Sequence, residues 1–236
     1  MFLNSLLANT EDIITYISIG AIALLAVILV VICVTNKKFD TKSIAYAAVC
    51  LATSFALSFI KVSPVTYGGS ITLASFVPVL IYAYAFGAVR GFIVGLVFGV
   101  LNFISGPWFL TPMTFILDYL LAFTMIGLMG FARKFTKSLT ANVILGTALV
   151  YVARLVMHLF AGMIYFDMGE IFTDLPQTNA FVYSFLYQII YIVPDAIIAG
   201  IVLVILSKTH TLQRLLKMIN PKQFNEPEPE TEPEQN

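Results

Sequence analysis

Apolar positions along the chain fall into seven long blocks, near residues 13–35, 43–60, 70–89, 91–106, 113–131, 141–165 and 181–207. Short polar breaks or glycine and proline positions close each block. An α-helix rises 1.5 Å per residue, so roughly 20 apolar residues cross a hydrocarbon core of about 30 Å. The pattern therefore predicts an all-α integral membrane protein that crosses the bilayer several times. The fourth block is short, and glycines set its ends. The first is too long for a signal peptide, follows Glu11 and Asp12, and has no small-residue cleavage site after it.

Composition sharpens this picture. Of 236 residues, 59% are hydrophobic and 11% charged, against about 25% charged in a soluble domain. Mean hydropathy is +0.92. Lys and Arg number 13, as do Asp and Glu, so no charge excess points to nucleic acid. Cys33 and Cys50 sit in apolar runs without a CxxC or a histidine beside them, which reads as packing rather than metal or redox chemistry.

Basic residues mark every second connection: Lys37, Lys38 and Lys42, then Arg90, then Arg133, Lys134 and Lys137, then Lys208, Arg214, Lys217 and Lys222. By the positive-inside rule these connections face the cytoplasm. The expected protein is a multi-pass cell-membrane protein with its N-terminus outside and its C-terminus inside. The stretch 226–236 alternates Glu and Pro and reads as a solvated tail.

No GxxxxGK[ST], HExxH or GxSxG occurs, and His158 and His210 are the only histidines. Such a chain is most simply a channel, a carrier, or the membrane half of a larger machine. Ionisable residues inside spans are costly and point to function. Asp118, Arg154, His158 and Asp195 qualify. Asp118, His158, Tyr183 and Gln188 converge at roughly 10 Å below the outer surface by helix rise. Trp108, Tyr119, Tyr165, Phe166 and Tyr187 lie around them. This set reads either as an outward-facing small-molecule pocket, or as an aromatic belt with inter-helix hydrogen bonds. Arg154 and Asp195 lie deeper, and read as a neutralising ion pair or as part of a proton relay.

Two faces carry small residues every four positions: Gly87, Gly91, Gly95 and Gly99, and Ala48, Ala52 and Ala56. Such faces let helices approach closely. The glycine face suggests packing within the chain, and the alanine face suggests docking to another membrane subunit. Pro64, Gly68 and Gly69 make the outer loop after the second span turn-rich, a candidate lid.

Several runs then combine into a known pattern. They are Gly68-Gly69-Ser70-Ile71-Thr72 with Gly87-Ala88-Val89-Arg90-Gly91; Thr111-Pro112 with Leu117-Asp118-Tyr119-Leu120-Leu121-Ala122-Phe123; Arg154…His158…Ala161-Gly162…Phe166; and Tyr183-Ser184-Phe185-Leu186-Tyr187-Gln188…Tyr191-Ile192-Val193-Pro194. In this order, over residues 43–207, the chain resembles the ThiT/YuaJ family, the thiamine-binding S components of energy-coupling factor (ECF) transporters.

That resemblance implies a six-helix S-component core over residues 39–210. It would be preceded by an extra transmembrane helix within 1–38 and followed by a cytoplasmic tail over 211–236. It implies thiamine as ligand, no cofactor, and no enzymatic activity. The implied partners are a membrane coupling subunit and two ATPase subunits, besides the lipid. The family's carboxylate, histidine, tyrosine and asparagine positions fall on Asp118, His158, Tyr183 and Gln188. Its aromatic positions fall on Trp108, Tyr119 and Phe166, and its docking helix on Ala48, Ala52 and Ala56. The chemistry agrees: a carboxylate in low dielectric suits a cation, and aromatic faces suit flat rings.

The chain departs from the pattern at Gln188, usually Asn, at Thr111, commonly His, and in the acidic loop Asp167–Asn179. A related cationic or pyrimidine-bearing ligand stays open. So does a proton-coupled secondary carrier of a small cationic or heteroaromatic solute, using Asp118, Asp195 and His158. An intramembrane enzyme with Asp118 and His158 as acid and base would lack a nucleophile motif or metal set.

Overall fold

A computed structural model describes residues 40–64, 69–106, 108, 110–167 and 179–224. The expected extra N-terminal helix, the tip of the candidate lid and the Glu/Pro stretch beyond residue 224 lie outside the described residues.

Among the described residues, the chain forms helix α1 (Thr41–Ser58), a short hairpin of β1 (Lys61–Pro64) and β2 (Ser70–Thr72), α2 (Val77–Phe86) and α3 (Ala88–Ser105). A composite helix α4 (Pro112–Lys134) follows, then α5 (Leu139–Asp167), α6 (Ala180–Lys208), α7 (Thr211–Ile219) and α8 (Pro221–Phe224). Five helices are long and apolar enough to cross a membrane: α1, α3, α4, α5 and α6. Their lipid-side positions stay uncovered, as at Val152, Ile197, Ile201 and Ile205, while Val79, Leu80, Tyr82, Phe98, Ile126 and Met129 fill the interior.

The third expected span is corrected. The apolar block 70–89 is not one helix: β2 takes its start, and α2 has 10 residues, about 15 Å at helical rise and half a membrane. Polar side chains break it. The Thr72 carbonyl accepts the Ala74 amide, Ala74 adopts φ 56°, and the Thr72 and Ser75 hydroxyls meet at 2.7 Å. These residues turn toward the interior cavity instead of continuing a helix.

The boundary expected at residue 210 also moves. Thr211–Ile219 is helical, and Leu212 and Leu216 are wholly buried on the core. Asn220 donates to the Ala85 carbonyl at the end of α2, and Phe224 stacks on Tyr84. The spacing Leu212, Leu216, Ile219 forms one apolar stripe opposite Gln213, Arg214 and Lys217, and that stripe holds the helix on the protein.

The glycine face is internal. A Cβ on Gly91 would lie 2.7 Å from Ala83 Cβ and 2.8 Å from Gly127 Cα, and one on Gly95 or Gly99 would strike the carbonyls of Phe123 or Tyr119. Only glycine lets α3 seat this closely on α4. Gly87, at φ 93°, makes the tight turn from α2 to α3. Ala48, Ala52 and Ala56, in contrast, are exposed along α1, whose other face is closed by Ser43 against Tyr82 at 2.9 Å.

Candidate functional site

Helix α4 prepares the site by its winding. Thr111 caps it: its hydroxyl accepts the Thr114 amide, the Thr114 hydroxyl accepts the Thr111 amide, and Pro112 supplies the first turn. The helix then widens to a π-helix over Ile116–Leu121, returns to α over Ala122–Thr124, and tightens to 3-10 over Met125–Lys134. π turns recur at functional sites. This one carries Asp118 and Tyr119.

Asp118 meets α5 at once. Its Oδ1 lies 2.7 Å from His158 Nδ1, and its Oδ2 accepts the Tyr165 hydroxyl at 3.1 Å. A carboxylate only accepts, so Nδ1 of His158 carries the hydrogen. The other ring nitrogen, Nε2, is buried and has no hydrogen-bond partner among the described residues. Backbone contacts fix the surroundings: the Trp108 amide donates to the Tyr119 hydroxyl at 2.9 Å, and Gln188 Nε2 donates to the His158 carbonyl at 3.0 Å. Tyr191 donates to Gln188 Oε1, so that amide is oriented from both ends.

One turn deeper lies the second charge pair. Arg154 Nη1 is 3.9 Å from Asp195 Oδ2, and its guanidinium lies 3.9 Å above the Phe76 ring centre. Asp195 gathers more donors: the Thr72 amide at 3.1 Å, the Thr72 hydroxyl at 2.9 Å and the Tyr151 hydroxyl at 2.8 Å. The expected ion pair is present, and it also anchors β2 to α6.

Both clusters line one cavity of about 200 Å³. Trp108, Asp118, Tyr119, His158 and Gln188, all expected at a site, are on its wall. Phe166 and Tyr183 are not; they pack on each other, with ring centres 5.4 Å apart. The sequence reading missed Ser70, Thr72, Ser75, Phe76 and Asn102 on the wall. Its available signal was polar residues recurring inside an apolar block. The charged residues on the wall are Asp118, Asp195 and Arg154, with Lys61 at the exposed rim. Among the described residues no group of His, Cys, Asp and Glu could hold a metal.

The rim is formed by the ends of α1 and α3 with the hairpin, through Ser58, Phe59, Lys61, Ser105 and Gly106. Lys61 apart, the basic residues of the connections lie at the opposite end, where Arg90 pairs with Asp40 at 3.7 Å, Lys42 donates to the Met218 carbonyl, and Arg133 donates to the Ala85 carbonyl.

Spanning helices around an aromatic cavity with a few convergent polar groups define a multi-pass membrane protein built to hold a small molecule. The sequence profile of the family described as thiamine transporter protein (Thia_YuaJ) matches residues 44–215, and the chain belongs to that family. It is similar to the thiamine transporter ThiT of Bacillus subtilis (strain 168), at 31% identity over 165 residues, 64% of this chain and 80% of the relative. Its fold is similar to a solved structure of ThiT from Listeria monocytogenes, with a TM-score of 0.61 at 24% identity, over 74% of this chain and 96% of that one.

Proposed function

We propose that this protein captures thiamine from outside the cell and serves its uptake as the substrate-binding S component of an ECF-type transporter. The observation that carries the reading is the Asp118–His158 pair: a half-buried carboxylate and an imidazole 2.7 Å apart, with His158 Nε2 unspent on the wall of an aromatic cavity. Thiamine is a monocation with a flat aminopyrimidine. The Asp118 carboxylate on the cavity wall attracts a cation, the aromatic walls attract flat rings, and the open ring nitrogen answers a polar edge. Membership of the thiamine transporter family supports the same ligand.

Basic residues at one end and the cavity rim at the other support a cytoplasmic C-terminus and an outward-facing pocket. The exposed Ala48/Ala52/Ala56 face supports docking to a membrane coupling subunit driven by two ATPases, since small residues permit close helix approach. Nothing in this arrangement calls for catalysis.

Titration of the purified protein with thiamine tests the ligand. Trp108 is the sole tryptophan and lines the cavity, so saturable quenching is expected. A flat titration removes the ligand assignment. Replacing Ala48 and Ala52 together by Leu tests the docking: uptake by cells should cease while binding persists. Uptake at the wild-type rate would place the docking surface elsewhere.

A further inference from the structure

The Arg154 guanidinium has hydrogen-bonding capacity that the protein does not use. Arginine offers five N–H donors in a fixed fork. Arg154 is 5% exposed, and its Nε is buried without a hydrogen-bond partner among the described residues. Its one ionic contact, to Asp195, is 3.9 Å long, beyond hydrogen-bond distance. Asp195 is not short of donors, because Thr72 and Tyr151 give it three at 2.8–3.1 Å. The guanidinium is thus neutralised but not satisfied. It is also held in place: Phe76 lies 3.9 Å beneath it, with Tyr151 and Phe123 at 5.2 and 5.3 Å. A flat cation clamped between rings presents its N–H edge rather than its face. Arg154 lines the cavity, one helical turn from His158 on α5, so both side chains leave the same helix toward one wall.

We propose that Arg154 is a second ligand-recognition point on the cavity floor, a rigid donor for an oxygen acceptor of the bound molecule. This rests on the thiamine reading and extends it. Asp118 and His158 hold the nitrogen-rich aminopyrimidine, while Arg154 takes the oxygen at the other end, on the side arm of the thiazolium ring. In thiamine that oxygen is the hydroxyethyl hydroxyl, and in its phosphate ester it is a phosphoryl oxygen. The shared chemistry is an oxygen lone pair meeting a charged N–H edge. Because Asp195 neutralises the guanidinium, the neutral hydroxyl is the better match, and the ester gains less than it would at a bare cation.

The test uses three ligands and two proteins. Wild type and Arg154→Lys, both purified in detergent, are titrated by Trp108 quenching with thiamine, with an analogue carrying ethyl in place of hydroxyethyl, and with thiamine monophosphate. Wild type should bind the ethyl analogue about tenfold or more weakly than thiamine, the loss expected for a hydrogen bond to a charged group. In Arg154→Lys, which keeps the charge but loses the fork, the difference should shrink to about twofold or less. Monophosphate should bind wild type more weakly than thiamine; binding at least as tight, weakened in Arg154→Lys, would overturn the hydroxyl preference while supporting Arg154 as the donor to a phosphoryl oxygen. Equal affinity of wild type for thiamine and the ethyl analogue overturns the Arg154 assignment and leaves the thiamine reading intact. Discrimination that survives unchanged in Arg154→Lys overturns it as well. A wild type that binds none of the three overturns the thiamine reading itself, and this assignment with it. Should Arg154→Lys fail to fold, the wild-type comparison of thiamine with its ethyl analogue decides alone.

Discussion

The cavity wall holds two carboxylates, and the protein treats them in opposite ways. Asp195, on α6, is saturated: a backbone amide, two hydroxyls and a guanidinium converge on it, and they come from two other elements, β2 and α5. Asp118 meets an imidazole and one phenol, both from α5, on a side chain that stays 15% exposed. The imidazole it orients keeps a nitrogen open on the cavity wall. A carboxylate whose donors are all supplied by the fold is part of the framework. One that orients an unspent group toward a cavity is poised for a ligand. Both are ionisable residues in spans, so it is the donors around each that separate them.

The sharpest way to break this contrast is Asp195→Leu. The change strands the Arg154 cation and leaves the Thr72 amide and the Tyr151 hydroxyl without their acceptor. Removing one member of a buried pair costs about 3–5 kcal/mol, so the unfolding midpoint in detergent should fall steeply. Adding Arg154→Met to that variant removes the stranded cation and should recover part of the loss, while the two neutral donors stay unsatisfied. No recovery in the double variant would mean that Arg154 is not held by Asp195. Arg154→Met alone should cost less than Asp195→Leu, because Asp195 keeps three donors.

Most of the frame was legible because long apolar helices announce themselves. The expected spans 43–60, 91–106, 113–131, 141–165 and 181–207 agree to within about three residues with helices at Thr41–Ser58, Ala88–Ser105, Pro112–Lys134, Leu139–Asp167 and Ala180–Lys208. The pairing of Arg154 with Asp195 was legible too, since two opposite charges at one depth have few other partners. Three features were not. Thr72 and Ser75 sit in a block that averages apolar, so window hydropathy hides the break created by their bond to each other and by the bond of Thr72 to Asp195. The π turn at Asp118 lies where α3 passes close to α4 at Gly99, and it has no local signature in the sequence. The stack of Arg154 on Phe76 joins residues 78 positions apart, beyond any helical spacing rule.

Asp118→Asn probes the other carboxylate and should invert the pattern: binding falls while the fold holds. The asparagine oxygen can still accept from His158 Nδ1, and its NH2 can donate to the Tyr165 hydroxyl oxygen, so neither partner is stranded. What goes is the charge. Losing a charged partner costs about 1.5–3 kcal/mol, roughly ten- to hundredfold in thiamine affinity. The check is Trp108 quenching alongside thermal unfolding. A variant that unfolds early yet binds normally would make Asp118 a framework residue like Asp195, and the contrast would collapse.

The smallest effect bears on neighbours, Tyr165 and Phe166, which adjacent positions on α5 send in different directions. Resemblance to the family points to Phe166, whereas the geometry points to Tyr165, which donates to Asp118 Oδ2 at 3.1 Å and lines the cavity. Phe166 packs on Tyr183 instead. Tyr165→Phe keeps the ring and deletes one donor, at a net cost of about 0.5–1.5 kcal/mol, so affinity should weaken about two- to tenfold. Phe166→Leu trims a contact outside the cavity wall and should leave affinity unchanged. Equilibrium titrations of the two variants side by side decide between them. A larger loss in Phe166→Leu than in Tyr165→Phe would mean that the ligand-bound cavity recruits Phe166. The aromatic side of the site would then be assembled by the ligand, while the carboxylate side stands ready before it arrives.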